Sequence, residues 1–231
     1  MTAPLPVAVV TGASGGMGSE IVRDLVRTHR VYALGRRADV LTALAEETGA
    51  APRRVDVTDR DALTAFADEL DRVDVLVHVA AVGGAVSVED ATEADWLASL
   101  TTNVVGPALL TRALLPLLRP AEATVVFIGS GAGTRPVPGS AVYTASKHAL
   151  RAVADVLRID EEKHRVRVVT IAPGQTDTAM LRAGIPDAAY TAERYIRPTS
   201  VAEAVRYVVD LPADAQVTDI ALRPRQEIAR L

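Results

Sequence analysis

Short apolar runs alternate with longer amphipathic stretches along nearly the whole chain, and this rhythm constrains the fold more than any other feature. Strand-like runs occur at Val7–Val10, Val31–Leu34, Arg53–Val57, Val73–Val79, Thr124–Ile128, Val166–Ile171 and Val217–Leu222. The first is followed by a Gly-rich turn and then by Met17, Ile21, Val22, Leu25 and Val26 at helical spacing. Further helical patterns cover Val40–Glu47, Asp59–Leu70, Ala91–Arg119, Ala141–His164 and Ser200–Leu211. Acidic residues open Asp59–Leu70, where they suit the positive helix end, and Thr92 with Asp95 has the spacing of a capping box. Strands and helices that alternate in this way join by right-handed crossovers into one parallel sheet. The expectation is an α/β fold, a doubly wound parallel sheet in three α/β/α layers, with residues 1–231 forming a single domain.

Composition narrows the chemistry. The chain has 231 residues, enough for one domain that buries roughly 70–75% of its unfolded surface. Its 25 basic and 29 acidic residues leave a net charge of −4, and the basic residues are dispersed, so no nucleic-acid partner is expected. Without cysteine there is no disulfide, thiol nucleophile or Cys-based zinc site, and the four histidines lack metal-ligand spacing; no metal is expected. The N-terminal segment lacks a charged signal-peptide region and the most apolar stretch, residues 75–86, is too short to span a bilayer. A cytoplasmic protein with no membrane partner is the expectation.

In an open α/β sheet, ligands bind beyond the carboxyl ends of the strands. The loops at those ends are residues 11–18, 80–90, 129–139 and 172–199. The first reads Thr11-Gly-Ala-Ser-Gly-Gly-Met-Gly18, between a strand and a helix. Gly12 suits a tight turn, Gly16 admits a pyrophosphate to the backbone, and Gly18 lets the helix pack closely. A diphosphate there would meet free N–H groups and the positive helix end. An ordinary Gly-rich turn would carry the same letters.

Strand two ends in Gly35-Arg36-Arg37, where a fold preferring NAD would place an acid for the ribose hydroxyls. Arginine can pair with a 2′-phosphate in two-pronged fashion, so NADP(H) is favoured over NAD(H). A solvated arginine pair is the competing reading, and Asp39 lies near enough to compete for a ribose. Asp56 either reaches the adenine edge or serves as a turn acid.

Of the 25 basic residues only Lys147 and Lys163 are lysine, and Asn103 is the sole asparagine. Lys147 lies four residues after Tyr143, on one helix face. With five Tyr and two Lys, chance gives this spacing only about 0.04 times per chain. An ammonium there favours the phenolate and draws the Tyr143 pKa down, making Tyr143 a general acid/base. Ser130 ends strand five, 13 residues earlier, where its hydroxyl could hold a substrate oxygen. Asn103 stands inside a long helical region that its propensity disfavours, where it could interrupt the ladder and hold a water leading toward Lys147.

With these residues in place, the chain resembles the short-chain dehydrogenases/reductases of the compact, single-domain kind, with a Rossmann-like fold. The resemblance runs from residue 5 to about residue 222, through TGASGGMG, Asn103, Ser130, Tyr143 with Lys147, and Pro173-Gly174 followed by Thr178. It implies a catalytic set of Asn103, Ser130, Tyr143 and Lys147. It implies cofactor binding by Gly12, Ser14, Gly16, Met17, Gly18, Arg36, Arg37, Asp56, Val57, Ala80, Tyr143, Lys147, Pro173, Gly174, Thr176 and Thr178. The reaction so implied is NADPH-dependent reduction of a ketone or aldehyde, or the reverse alcohol oxidation. Tyr143 would protonate the oxygen, Ser130 orient it, Lys147 bind the nicotinamide ribose, and Asn103 with water relay the proton. Homodimers or homotetramers pairing the helices Ala91–Arg119 and Ala141–His164 are implied as well.

One departure stands out: His78-Val79-Ala80-Ala81 replaces the Asn-Asn-Ala-Gly usual in the family. His78 could supply one bracing hydrogen bond, and is read as a buried, satisfied histidine. The substrate cleft is expected along Val82–Val86, Gly131–Pro138 and the loop Thr178–Thr199, with Met180, Leu181, Ile185, Tyr190 and Tyr195 as its apolar wall. Arg182, Arg194 and Arg197 are expected in solvent. Two other readings are a non-catalytic dinucleotide-binding sensor, which would typically lack the Tyr/Lys pair, and an epimerase or dehydratase of the extended branch, which would need a larger C-terminal lobe.

Overall fold

The computed structural model describes residues 4–226. Seven parallel strands form one sheet in the order β3-β2-β1-β4-β5-β6-β7. These are β1 (Val7–Val10), β2 (Arg30–Gly35), β3 (Ala51–Arg54), β4 (Val75–His78), β5 (Thr124–Ile128), β6 (Arg167–Pro173) and β7 (Asp219–Leu222). The helices are α1 (Gly16–Leu25), α2 (Ala38–Thr48), α3 (Arg60–Asp68), α4 (Glu93–Leu100), α5 (Gly106–Leu118), α6 (Ala141–Asp160), α7 (Ala179–Arg182) and α8 (Pro198–Val209). Chain order reverses between β1 and β4, so the switch point that receives ligands lies at their carboxyl ends.

The two-residue period of the strands sorts the core. Ala8, Val10, Val77, Val126, Ile128 and Ile171 face α1, α2 and α8, where Ile21, Leu25 and Val205 are fully buried. Val9, Leu76, Val125 and Phe127 face the opposite layer and meet Leu63, Phe66, Leu110 and Leu114. Burial of each such large side chain contributes about 1.5–3 kcal/mol. Arg206 of α8 ties that helix to α1 through the Asp24 carboxylate at 2.8 Å and carbonyl at 2.8 Å.

The local signals act largely as expected. Asp59 caps α3 by accepting from the N–H groups of Asp61 and Ala62, and the Thr92–Asp95 capping box is present in both directions. Several boundaries differ. Strand three covers Ala51–Arg54 rather than Arg53–Val57, because the stretch that pairs with β2 is Ala51-Pro52-Arg53-Arg54. Proline is tolerated there since β3 is an edge strand. Strand six runs on to Pro173, which pairs with Leu222 of β7, while strand seven begins only at Asp219. Helix α6 ends at Asp160, before a separate 3-10 turn at Glu162–His164. The last helix starts at Pro198, with proline in its first turn, rather than at Ser200.

The long helical region also divides. α4 and α5 are joined by a π-helical turn, Thr101–Val105, which contains Asn103. Among the described residues, no helix is long and apolar enough to cross a membrane, and no group of three or more His, Cys, Asp or Glu could hold a metal ion.

Candidate active site

A cleft of about 270 Å³ opens at the β1/β4 switch point. Its floor is the turn between β1 and α1. Gly12 has φ +66°, and a Cβ on it would stand 2.7 Å from the Ala80 nitrogen. A Cβ on Gly18 would collide with the Gly12 carbonyl, so the glycines let helix, turn and β4 exit close together. Thr11 completes this junction: its hydroxyl accepts from the N–H groups of Val79 at 3.0 Å and Ala80 at 3.2 Å. The bonds hold in place the loop in which Val79, Ala80 and Ala81 stand where a glycine-containing sequence is usual.

Of the expected cofactor residues, Gly12, Ser14, Gly16, Met17, Arg36, Arg37, Asp56, Val57, Ala80 and Thr178 line the cleft. Gly18 lies buried beneath it. Arg37 is folded onto the glycine turn, its guanidinium donating to the Ser14 carbonyl. Burial opposes ionisation of Asp56, but the Thr58 N–H and hydroxyl and the charge of Arg36 hold its carboxyl below the usual range. Asp39 sits in the first turn of α2 and does not line the cleft. Pro173, Gly174 and Thr176 form the base of the following loop instead of its wall: the Gly174 N–H donates to the Leu222 carbonyl, and Thr176 forms a β-bridge with Ile196. The α1 N-terminus, two arginines and the glycine floor give the cleft the form and charge to hold a dinucleotide phosphate.

The second group of residues stands beside this cleft. Ser130 caps a 3-10 turn, Gly131–Gly133, by accepting from the Ala132 N–H at 3.1 Å. Its hydroxyl also acts on Tyr143, which enters from the first turn of α6. Burial drives the Tyr143 phenol above its ordinary pKa, and the Ser130 hydrogen bond only partly offsets this. Lys147, one turn later, donates to the Ile128 carbonyl at 3.0 Å. Its Nζ lies 5.7 Å from the Tyr143 ring centre, and burial lowers its pKa to about 8. The expected lowering of the Tyr143 pKa is therefore not what this arrangement produces, because desolvation outweighs a lysine whose ammonium turns toward a carbonyl.

Asn103 is fully buried. Its Oδ1 accepts from the Val82 N–H at 2.8 Å, while Nδ2 donates to the Val82 carbonyl at 2.9 Å and to the Ser146 hydroxyl at 2.9 Å. Ser146 in turn donates to the Tyr143 carbonyl at 2.8 Å. The amide thus spends its hydrogen bonds on the wall of the cleft, on the tyrosine helix and, at 3.3 Å, on the Ser99 hydroxyl of α4, and none is directed at Lys147. His78 is buried, stacks on Phe127 at 4.8 Å and is 2.8 Å from the Thr111 hydroxyl through Nε2. Its Nδ1 has no protein partner, and burial lowers its pKa to about 3, so it is neutral.

The model for the short chain dehydrogenase family matches residues 6–188. The chain belongs to the short-chain dehydrogenase family. Sulfoacetaldehyde reductase 2 of Chromohalobacter salexigens is 34% identical, covering 96% of this chain and 95% of the relative. The NADP-dependent 3-hydroxy acid dehydrogenase YdfG of Salmonella typhi is 34% identical, covering 94% of each. A serine dehydrogenase solved in its closed form with NADP+ superposes with a TM-score of 0.90 at 31% identity, over 97% of this chain and 98% of that one.

In this short-chain dehydrogenase, the residues whose roles the motifs did not reveal include Thr11 and Ser146. Both are polar groups on otherwise buried positions, a signal present in the sequence but shared by many satisfied core hydroxyls. In the loop expected to face the substrate, Met180 lines the cofactor cleft. Tyr190 and Tyr195 stack on each other at 5.4 Å, and neither lines the cleft. Arg182 is exposed, as expected, and makes a two-pronged pair with Asp177 at 2.7 and 2.9 Å while lying over Tyr190. Arg194 and Arg197 are exposed.

Proposed function

We propose that this protein is an NADP(H)-dependent oxidoreductase that converts a ketone or aldehyde to an alcohol, or performs the reverse. The observation that carries the reading is the meeting of the Ser130 hydroxyl and the Tyr143 phenol beside a dinucleotide-shaped cleft, with buried Lys147 one helical turn away. The cleft residues that would hold the cofactor are the glycine turn for the diphosphate, Arg36 and Arg37 for a 2′-phosphate, and Asp56 with Val57 beside the adenine. Lys147 would hold the nicotinamide ribose. When bound there, the cofactor would supply hydride for the carbonyl carbon, or would accept it in the reverse reaction. Ser130 orients the substrate oxygen and Tyr143 transfers its phenolic proton to that oxygen, leaving a phenolate that Lys147 stabilises. Asn103 holds Val82 and the Tyr143 turn in register, and its π-helical turn is the place for a proton-relaying water.

Relatives described as NADP-dependent or solved with NADP+ support the cofactor choice. Names built on sulfoacetaldehyde, 3-hydroxy acid and serine favour a small substrate. Exposed Leu97, Val156 and Ile159 on α4 and α6 support pairing of these helices in a homodimer or homotetramer. We place the protein in the cytoplasm.

The test is a fluorescence titration with NADPH and NADH, followed by a screen of small carbonyls and alcohols. Tighter binding of NADPH with turnover of a carbonyl is expected. Binding without any turnover would favour a sensor of the same fold, and no binding of either cofactor would overturn the reading.

A further inference from the structure

The short helix α7 lies across the junction of the cofactor cleft and the Tyr143 site, and one side chain on it has a contact that the chemistry above does not use. Met180 lines the cleft together with Thr178 and Ala179. A Cβ built on Gly83 would stand 2.8 Å from the Met180 sulfur and 3.6 Å from Cε2 of Tyr143. The thioether and the edge of the catalytic ring therefore flank one small space, which exists because residue 83 has no side chain. Met180 fills the approach to the phenol from the α7 side.

The loop holds Met180 in that place from both ends. At its base, the Asp177 N–H donates to the Ile196 carbonyl at 2.8 Å, and the Ile196 N–H donates to the Gln175 carbonyl at 3.0 Å. Thr178 caps α7 by accepting from the Leu181 N–H. Arg182, the last residue of α7, is tied back to Asp177 and lies 4.6 Å from the Tyr190 ring centre. The Asp177–Arg182 pair thus brackets Met180, and α7 cannot roll outward without breaking it. Met180 itself is half exposed, and an unbranched thioether moves more readily than a branched chain. It can yield to a methyl-sized group but still occupies the volume that an aryl group would need.

We propose that Met180 determines substrate size, restricting this enzyme to carbonyl compounds whose smaller substituent is no larger than a short alkyl chain and which carry no ring beside the carbonyl. This inference rests on the oxidoreductase reading above. The test compares propanal and acetone with acetophenone in the wild type, Met180→Ala and Met180→Phe, with calorimetric binding of 2-propanol and 1-phenylethanol to the NADPH-loaded proteins, in which the alcohols cannot be oxidised. In Met180→Ala, kcat/KM for acetophenone relative to propanal should rise about tenfold or more, with 1-phenylethanol binding more tightly. Met180→Phe should lower the ratio. Gly83→Ala, which must displace the Met180 thioether, should change the same ratio while Lys147 and Ser130 are untouched. If the wild type reduces propanal but neither the ratio nor alcohol binding changes in any variant, the size assignment is wrong and the oxidoreductase reading stands. If no carbonyl is reduced by the wild type, the oxidoreductase reading itself fails.

Discussion

Asn103 and Ser146, 43 residues apart in sequence, meet through a 2.9 Å hydrogen bond that joins the π-helical turn to the first turns of α6. Because Ser146 also donates to the Tyr143 carbonyl, the only asparagine in the chain is two hydrogen bonds away from the backbone of the proposed acid. Two further bonds fix Val82, on the opposite wall of the site, and one reaches the Ser99 hydroxyl. Position, more than proton transfer through its amide, is what the side chain supplies.

Replacing Asn103 by alanine should leave the half-buried Val82 N–H and carbonyl without their side-chain partner. A loss of about 2–4 kcal/mol in urea unfolding is expected, with a fall in kcat. Ser146→Ala keeps the Val82 bonds and should cost about 1 kcal/mol. Equal losses in the two variants would refute the division of labour.

Arg36→Ala combined with Arg37→Ala should weaken NADPH much more than NADH in a fluorescence titration, because only the former carries a 2′-phosphate for a guanidinium to meet. A uniform loss would assign the pair to the glycine turn, where Arg37 already bonds the Ser14 carbonyl.

The direction of reaction should depend on pH. Burial holds the Tyr143 phenol protonated well past neutrality, the form that donates to a carbonyl oxygen. Carbonyl reduction should therefore be flat across the neutral range. Alcohol oxidation needs the phenolate, so its kcat/KM should climb with pH at close to tenfold per unit. An oxidation profile that levels off near neutrality would show that the bound cofactor reverses the effect of burial.

His78 makes stability acid-sensitive. Its folded-state pKa of about 3 lies below the ordinary 6.5, so between these values the unfolded chain takes up a proton that the native chain refuses. Its contribution is intact above pH 6.5 and is lost progressively as pH falls toward 3. At pH 5 the loss is about 2 kcal/mol relative to pH 7.5. His78→Asn, which keeps a polar partner for Thr111, should flatten this part of the urea-unfolding pH profile. An unchanged profile would assign the sensitivity elsewhere, for instance to His29, whose pKa burial also lowers.

Much of this architecture was legible in the sequence, since β-branched runs and helix caps report directly on burial and hydrogen bonding. The site motifs were legible for a related reason: in a chain that is so rich in arginine, Lys147 is conspicuous, and so is Asn103. What the letters could not convey was orientation. Arg53–Val57 reads as a strand, yet edge pairing selected Ala51–Arg54 and released Val55–Val57 to line the cleft. Tyr143 and Lys147 share a helix face, but the sign of the tyrosine shift depends on where the ammonium points. Arg182 was one arginine among many until its pairing with Asp177 made it part of the anchor of the loop after β6.

The most direct measurement is turnover by Tyr143→Phe, paired with an NADPH titration of the same variant. The account predicts that NADPH binds with nearly unchanged affinity while reduction of every carbonyl accepted by the wild type is abolished, because the ring remains and only the proton donor is gone. Retained turnover in a variant that binds NADPH normally would contradict it.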